Sequence, residues 1–176
     1  MDRNLGASQV ATSSTDANSY GDVYQWGRGS DGHQCRNSAT TTTLSSGDVP
    51  GHDDFIEISS SPNDWRSPQN TNLWQGVNGV NNPCPSLYRL PTETEIIAER
   101  GSWSPNNSTG AFASPLKLPM AGRRGEGSLL NVGNRGRYWS STVSGSNASY
   151  LLFSSSSVST NASRRASGYS VRCIKD

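Results

Sequence analysis

Large aliphatic side chains are scarce in this 176-residue chain, whereas Ser, Asn, Gly and Thr abound. Any core it builds must therefore be largely aromatic. Five Trp, six Tyr and three Phe supply the volume, since each buried aromatic removes a large apolar area from water. A shortage of Leu, Ile, Val and Phe accompanies disorder when net charge is high, but here the net charge is only +1. The reading is an α+β domain, loop-rich, with short antiparallel strands and one or two short helices. Its length fits one domain, residues 1–176.

Near-neutral charge offers nothing to draw the chain to nucleic acid. The doublets Arg123-Arg124 and Arg164-Arg165 read as solvated pairs. No stretch approaches the 18 or so apolar residues of a membrane span, so direct membrane insertion is not expected. The opening Met1-Asp2-Arg3-Asn4-Leu5-Gly6 has no apolar run of the signal-peptide kind. Of three cysteines, Cys84 and Cys173 lie in patterned segments and form the candidate disulfide. Such a bond would close a long loop, stabilising the fold by roughly 4–5 kcal/mol in the loop-entropy account. Three reduced, buried cysteines are the alternative.

Local patterns place the elements. Tyr20, Tyr24 and Trp26 read as aromatic anchors. Residues 29–72 are rich in breakers, interrupted by a possible strand at Phe55-Ile56-Glu57-Ile58. Thr92 followed by Glu95 is a capping box, and Ile96, Ile97 and Ala98 give an apolar side, so a helix is expected over 92–100. Gly101 stands where a left-handed residue commonly closes a helix. Strands are expected at 115–122, 138–142, 149–154 and 169–174, separated by turn residues as in an antiparallel meander.

The segment from Ser140 to Ser170 contains 13 serines in 31 residues. Such density usually marks a linker. Trp139, Leu151, Phe153, Val158, Val171 and Cys173 argue otherwise, because they recur at spacings that suit short strands. Over 150–154 the alternation sets Leu151 and Phe153 on one face and Tyr150, Leu152 and Ser154 on the other. One face can pack while the other faces out.

Six ordered motifs carry a resemblance spanning nearly the whole chain. They are Asp2-Arg3-Asn4-Leu5-Gly6-Ala7, Tyr20 to Arg28, Asn82-Pro83-Cys84-Pro85, Tyr88 to Glu93, Tyr138-Trp139-Ser140-Ser141-Thr142 and Gly168 to Cys173. Together they resemble the FISUMP-type (major paralogous) domain of bacterial surface proteins, which looks like a branch of the C-type-lectin fold. Relatives include variable target proteins of diversity-generating retroelements, whose error-prone copying at adenines rewrites Asn codons. The resemblance implies a variable ligand-binding region at about 123–169. Carried over residue by residue, the ligand-binding positions are Arg123, Arg124, Leu130, Arg137, Ser149, Tyr150, Leu152, Ser154, Ser157, Ser159, Asn161, Ala162, Ser163, Arg164, Ser167 and Tyr169. Trp139, Leu151, Phe153, Val171 and Cys173 are the framework. The implied partner is a variable protein or surface-receptor ligand, met on a phage particle or bacterial surface. A non-diversified surface module, structural or glycan-binding, is the alternative.

Catalytic readings are weaker. No nucleophile motif surrounds any serine. His33 and His52 read as exposed loop residues, and the spacing of His33, Cys35, His52, Asp53 and Asp54 fits no zinc pattern. Glu93, Glu95 and Glu99 are explained by capping and solvation. The segment from Arg89 to Glu95 also resembles formylglycine-generating enzymes, but those need two reactive cysteines in the C-terminal part, where this chain has only Cys173. The expectation is a binder without cofactor or metal, and not an enzyme.

Overall fold

A computed structural model describes residues 1–125 and 127–176. The chain is α+β; the described residues form eleven short strands and two α-helices. In chain order these are β1 (Tyr24–Gln25), β2 (Thr40–Thr41), β3 (Phe55–Ile56), β4 (Tyr88–Arg89), α1 (Glu93–Gly101), α2 (Ser108–Ala113), β5 (Arg123–Gly125), β6 (Ser128–Leu130), β7 (Gly136–Ser144), β8 (Asn147–Phe153), β9 (Val158–Arg164), β10 (Gly168–Tyr169) and β11 (Ile174–Lys175). No helix among the described residues is long and apolar enough to cross a membrane.

The longest strands form an antiparallel meander, β7-β8-β9. Gly145, at φ +58, turns β7 into β8 through the two-residue connection Gly145-Ser146. A second sheet runs β1-β10-β5-β6, with Tyr24 opposite Tyr169 and Gly168 opposite Arg124. The two sheets meet at Ser170, whose N–H donates to Arg137 O at 3.0 Å while its carbonyl accepts from Trp139 N at 3.1 Å. Two-stranded pairs β4/β11 and β2/β3 complete the framework, the latter parallel.

The meander is covered on both faces. Tyr138, Leu151 and Phe153 pack with Ile96, Trp103, Ala111, Leu118 and Met120 on the helical side. Trp139 and Ala148 pack with Tyr24, Trp26, Trp74, Tyr169, Val171 and Cys173 on the other. The framework positions Trp139, Leu151, Phe153, Val171 and Cys173 are all buried. Cys84 and Cys173 form a disulfide across 89 residues, tying the segment before β4 to the C-terminal strands. Cys35 is free and exposed.

Thr92 caps α1 in a full capping box with Glu95, which also takes two hydrogen bonds from Arg89 at 2.8 and 2.9 Å. The Arg89 guanidinium holds the Glu95 carboxyl down at about 2. Gly101 is the last helical residue and not a left-handed one; Ser102 caps the helix in the right-handed region at φ −84. The segment 115–122 is not a strand. It begins in a turn, with Lys117 at φ 50, and continues as irregular chain whose backbone bonds to three different segments, Met120 N to Ser14 O, Gly133 N to Met120 O and Gly122 N to Arg135 O. Over 169–174 only Tyr169 and Ile174 lie in strands, since Val171 to Cys173 run between partners. The helix α2 and the strand β9 lie in segments with no apolar period to announce them.

Gly136 permits the meander's close fit. A Cβ there would lie 2.1 Å from Phe153 Cζ. That ring is wholly buried between Tyr138, stacked at 5.9 Å, and Trp103, edge-on at 5.7 Å, so it has no room to yield. Gly136→Ala is expected to destabilise the fold by about 1–3 kcal/mol. Urea denaturation followed by Trp fluorescence checks this.

Candidate functional site

Strand alternation and the β7–β8–β9 register put Arg137, Trp139, Tyr150, Leu152, Ser159, Asn161 and Ser163 on one face of the meander. At its base Trp139 stacks on Tyr169 with ring centroids 4.3 Å apart. The indole is fixed by donating Nε1–H to Tyr24 O at 2.7 Å, and Tyr169 donates its hydroxyl to Ser163 Oγ at 2.8 Å. Tyr150 lies over both rings, 4.7 Å from Tyr169 and edge-on to Trp139 at 6.0 Å. It is only half-buried. Burial raises its hydroxyl pKa, so it stays a neutral donor and acceptor. Arg137 stacks on the Tyr169 ring at 5.8 Å. Its Nη1 reaches Asn131 Oδ1 at 3.4 Å, while Nε is buried without a hydrogen-bond partner.

A smaller cleft adjoins this face. Arg123 and Gly125 of β5, Arg164 and Ser167 line it with Phe55, Glu57 and Thr42, around about 200 Å3. Glu57 accepts from Gly127 N at 2.5 Å, and Arg164 makes a long bond to Ile58 O at 3.4 Å. The cleft's charge is mixed.

The sixteen positions expected to face outward divide sharply. Arg123, Leu130, Tyr150, Leu152, Ser159, Ser163 and Arg164 are half-buried at the surface, and Asn161 and Ala162 are exposed. Ala162 and Arg164 lie on the opposite face of the meander from Tyr150. Ser154 and Ser157 close the β8–β9 hairpin through Ser154 N to Ser157 O at 2.9 Å, so they form its tip and not its face. Arg124, Arg137, Ser149, Ser167 and Tyr169 are buried and do not point outward. Arg124 is a clamp: it donates to Cys35 O and to both oxygens of Ser38, and stacks on Phe55 at 4.5 Å. Tyr169 is held in the aromatic stack, and Ser149 packs inward on the other face.

Neither arginine doublet is a solvated pair. One member of each is turned inward, Arg124 on the strand β5 and Arg165 in the turn that follows β9. Arg165 is wholly buried, stacked over Trp26 at 4.8 Å, 3.5 Å from Asp64 Oδ2 and bonded to Gly145 O at 3.1 Å. Strand period, applied to Arg123-Arg124, signals that the two point to opposite sides; nothing in the sequence signals the burial of Arg165.

His33 is wholly buried and not an exposed loop residue. Its Nε2 accepts from Gln25 N at 3.1 Å, so Nδ1 carries the proton and donates to Asp31 Oδ1 at 2.6 Å. Among the described residues no group of three His, Cys, Asp or Glu is placed to hold a metal ion. Comparison with known proteins finds no matching family model, no matching curated protein and no matching solved structure.

Burial lowers the His33 pKa to about 4. The folded chain thus keeps it neutral while the unfolded chain takes up a proton below about 6.5. Its contribution is complete above pH 6.5 and is lost as pH falls towards 4, by up to about 3 kcal/mol. Asp64, whose pKa burial raises to about 6, acts in the opposite sense over the same window. Thermal melts from pH 7 to 4 should show a shallower decline for His33→Gln than for the parent.

Proposed function

We propose that this chain is a ligand-binding protein of C-type-lectin-like fold, FISUMP-type, whose meander face around Tyr150 is diversified at the level of the gene. The observation that carries the reading is Tyr150, a half-buried aromatic standing on an immobile Trp139–Tyr169 stack. Rigid aromatic anchors surrounded by small adaptable polar groups are the composition of paratopes. Here Leu152, Ser159, Asn161 and Ser163 surround the anchor on strands whose other side chains hold the core. Tyr and Arg side chains supply most of the affinity in such surfaces, while serines contribute little each.

Diversification needs positions that change without unfolding the chain. Leu152, Ser159, Asn161 and Ser163 meet that condition, as do Arg123 and Arg164 at the neighbouring cleft. Leu130, paired with Arg123 across β5 and β6, lies at its margin. The partner in this reading is a protein or surface receptor, met on a phage particle or bacterial surface, and no catalysis is involved. The burial of Arg124, Arg137, Ser149, Ser167 and Tyr169 favours the second reading, a non-diversified surface module, at those five positions.

A library randomised at Leu152, Ser159, Asn161 and Ser163 should give folded members with melting temperatures within a few degrees of the parent and with different target choices. Loss of folding across the library would defeat the proposal. A near-copy of the gene's 3′ end, differing only at adenines and beside a reverse transcriptase, would reject the non-diversified module.

A further inference from the structure

A second concavity lies on the helical side of the meander, away from the Tyr150 face. It measures about 430 Å3 and runs between α1 and the strands β7 and β8, within the 300–1,000 Å3 or so that small-molecule sites occupy. Ile96, Leu116, Leu118 and Leu151 make most of its wall apolar. Arg172 also lines it, and is only 4% exposed.

Arg172, like Arg124, is buried and bonds only neutral oxygens, but it is Arg172 that lines this cavity. Nε and Nη2 both donate to Asn4 Oδ1, at 3.2 and 2.8 Å, and Nη1 donates to Leu116 O. All are neutral oxygens. Among the described residues no carboxylate lies within ion-pair distance of its guanidinium; Asp2, which acts on it from further off, pairs with Arg3. A buried guanidinium carries five N–H donors, and a buried charge is ordinarily paired. The chain therefore supplies the hydrogen bonds and omits the counter-charge.

The two carboxylates of the wall do not fill that role. Glu95 is paired with Arg89, and Glu99 accepts from Trp103 Nε1 at 3.0 Å. Glu99 is half-buried, whereas Arg172 is buried. We propose that the cavity binds a small apolar carboxylate, its acid group inward on Arg172 and its hydrocarbon against Ile96, Leu116, Leu118 and Leu151. The site is independent of the reading of the Tyr150 face, and either can fail without the other.

Decanoate, decanol and decylamine share one tail and differ in charge. Isothermal titration of the intact protein should show decanoate bound at least about tenfold more tightly than decanol, the scale of a charge-assisted hydrogen bond. Arg172→Gln should bring decanoate down to the affinity of decanol. Because that change also removes bonds to Asn4, Leu116→Trp is the second variant; it fills the cavity from a half-buried position and should abolish decanoate binding in a chain that still melts cooperatively. Equal affinity for decanoate and decanol, tighter binding of decylamine, no binding by the parent, or undiminished binding by Leu116→Trp would each overturn the proposal.

Discussion

Every indole in the chain donates a hydrogen bond, and the fold depends on it. Trp26 donates to Ser140 O, Trp65 to Trp26 O, Trp74 to Asn81 O and Trp139 to Tyr24 O, all between 2.7 and 2.9 Å. Trp103 donates to Glu99. A loop-rich interior leaves backbone carbonyls without ladder partners, and burying them unpaired is costly. Indole solves both problems at once, because it adds apolar volume and one donor at its edge. Tryptophan thus replaces what leucine and regular pairing provide in more ordinary cores.

The register shift in β7 shows how this works locally. Between Trp139 and Val143 the β7–β8 ladder is interrupted. The released backbone is used elsewhere: Ser140 O takes the Trp26 indole, Ser141 N donates to Pro91 O at 2.8 Å, and Ser141 O accepts from Gln75 Nε2 at 2.8 Å. Small side chains are required where three segments converge on one strand, and the serines there are structural. Buried and half-buried arginines do the same for carbonyls that no indole reaches. Arg28 donates to Asp54 O and His52 O, both at 2.8 Å, and Arg36 to Ala121 O at 2.7 Å.

These devices explain what was legible in the sequence. The capped helix at Thr92, the Cys84–Cys173 bond, and the opposition of Leu151 and Phe153 to Tyr150 and Leu152 are local or alternating signals, and all are present. β9 shows in the sequence only as part of a Ser-rich stretch, because its pairing is set by β8 and not by its own hydrophobicity. The strand expected at 115–122 does not form because the Lys117 turn and the prolines break it, and its backbone bonds are scattered over Ser14, Gly133 and Arg135 instead of one partner strand. The site was half legible. Period two orders residues within a strand, but it does not say that Tyr169 of the second sheet packs onto Trp139 and Arg137, or that Arg124 clamps a loop 86 residues earlier in the chain.

The place of β9 has one more effect. The order β7-β8-β9 leaves it on the rim of its sheet, where an unpaired backbone invites another chain to add a strand. Persistent stacking of that kind depends on apolar side chains that lock successive layers together. Val158-Ser159-Thr160-Asn161-Ala162-Ser163-Arg164 has one large aliphatic residue and ends in a charge. Polarity on this rim therefore opposes polymerisation through the molecule's own edge, a second role for the same serines that lend the surface its adaptability.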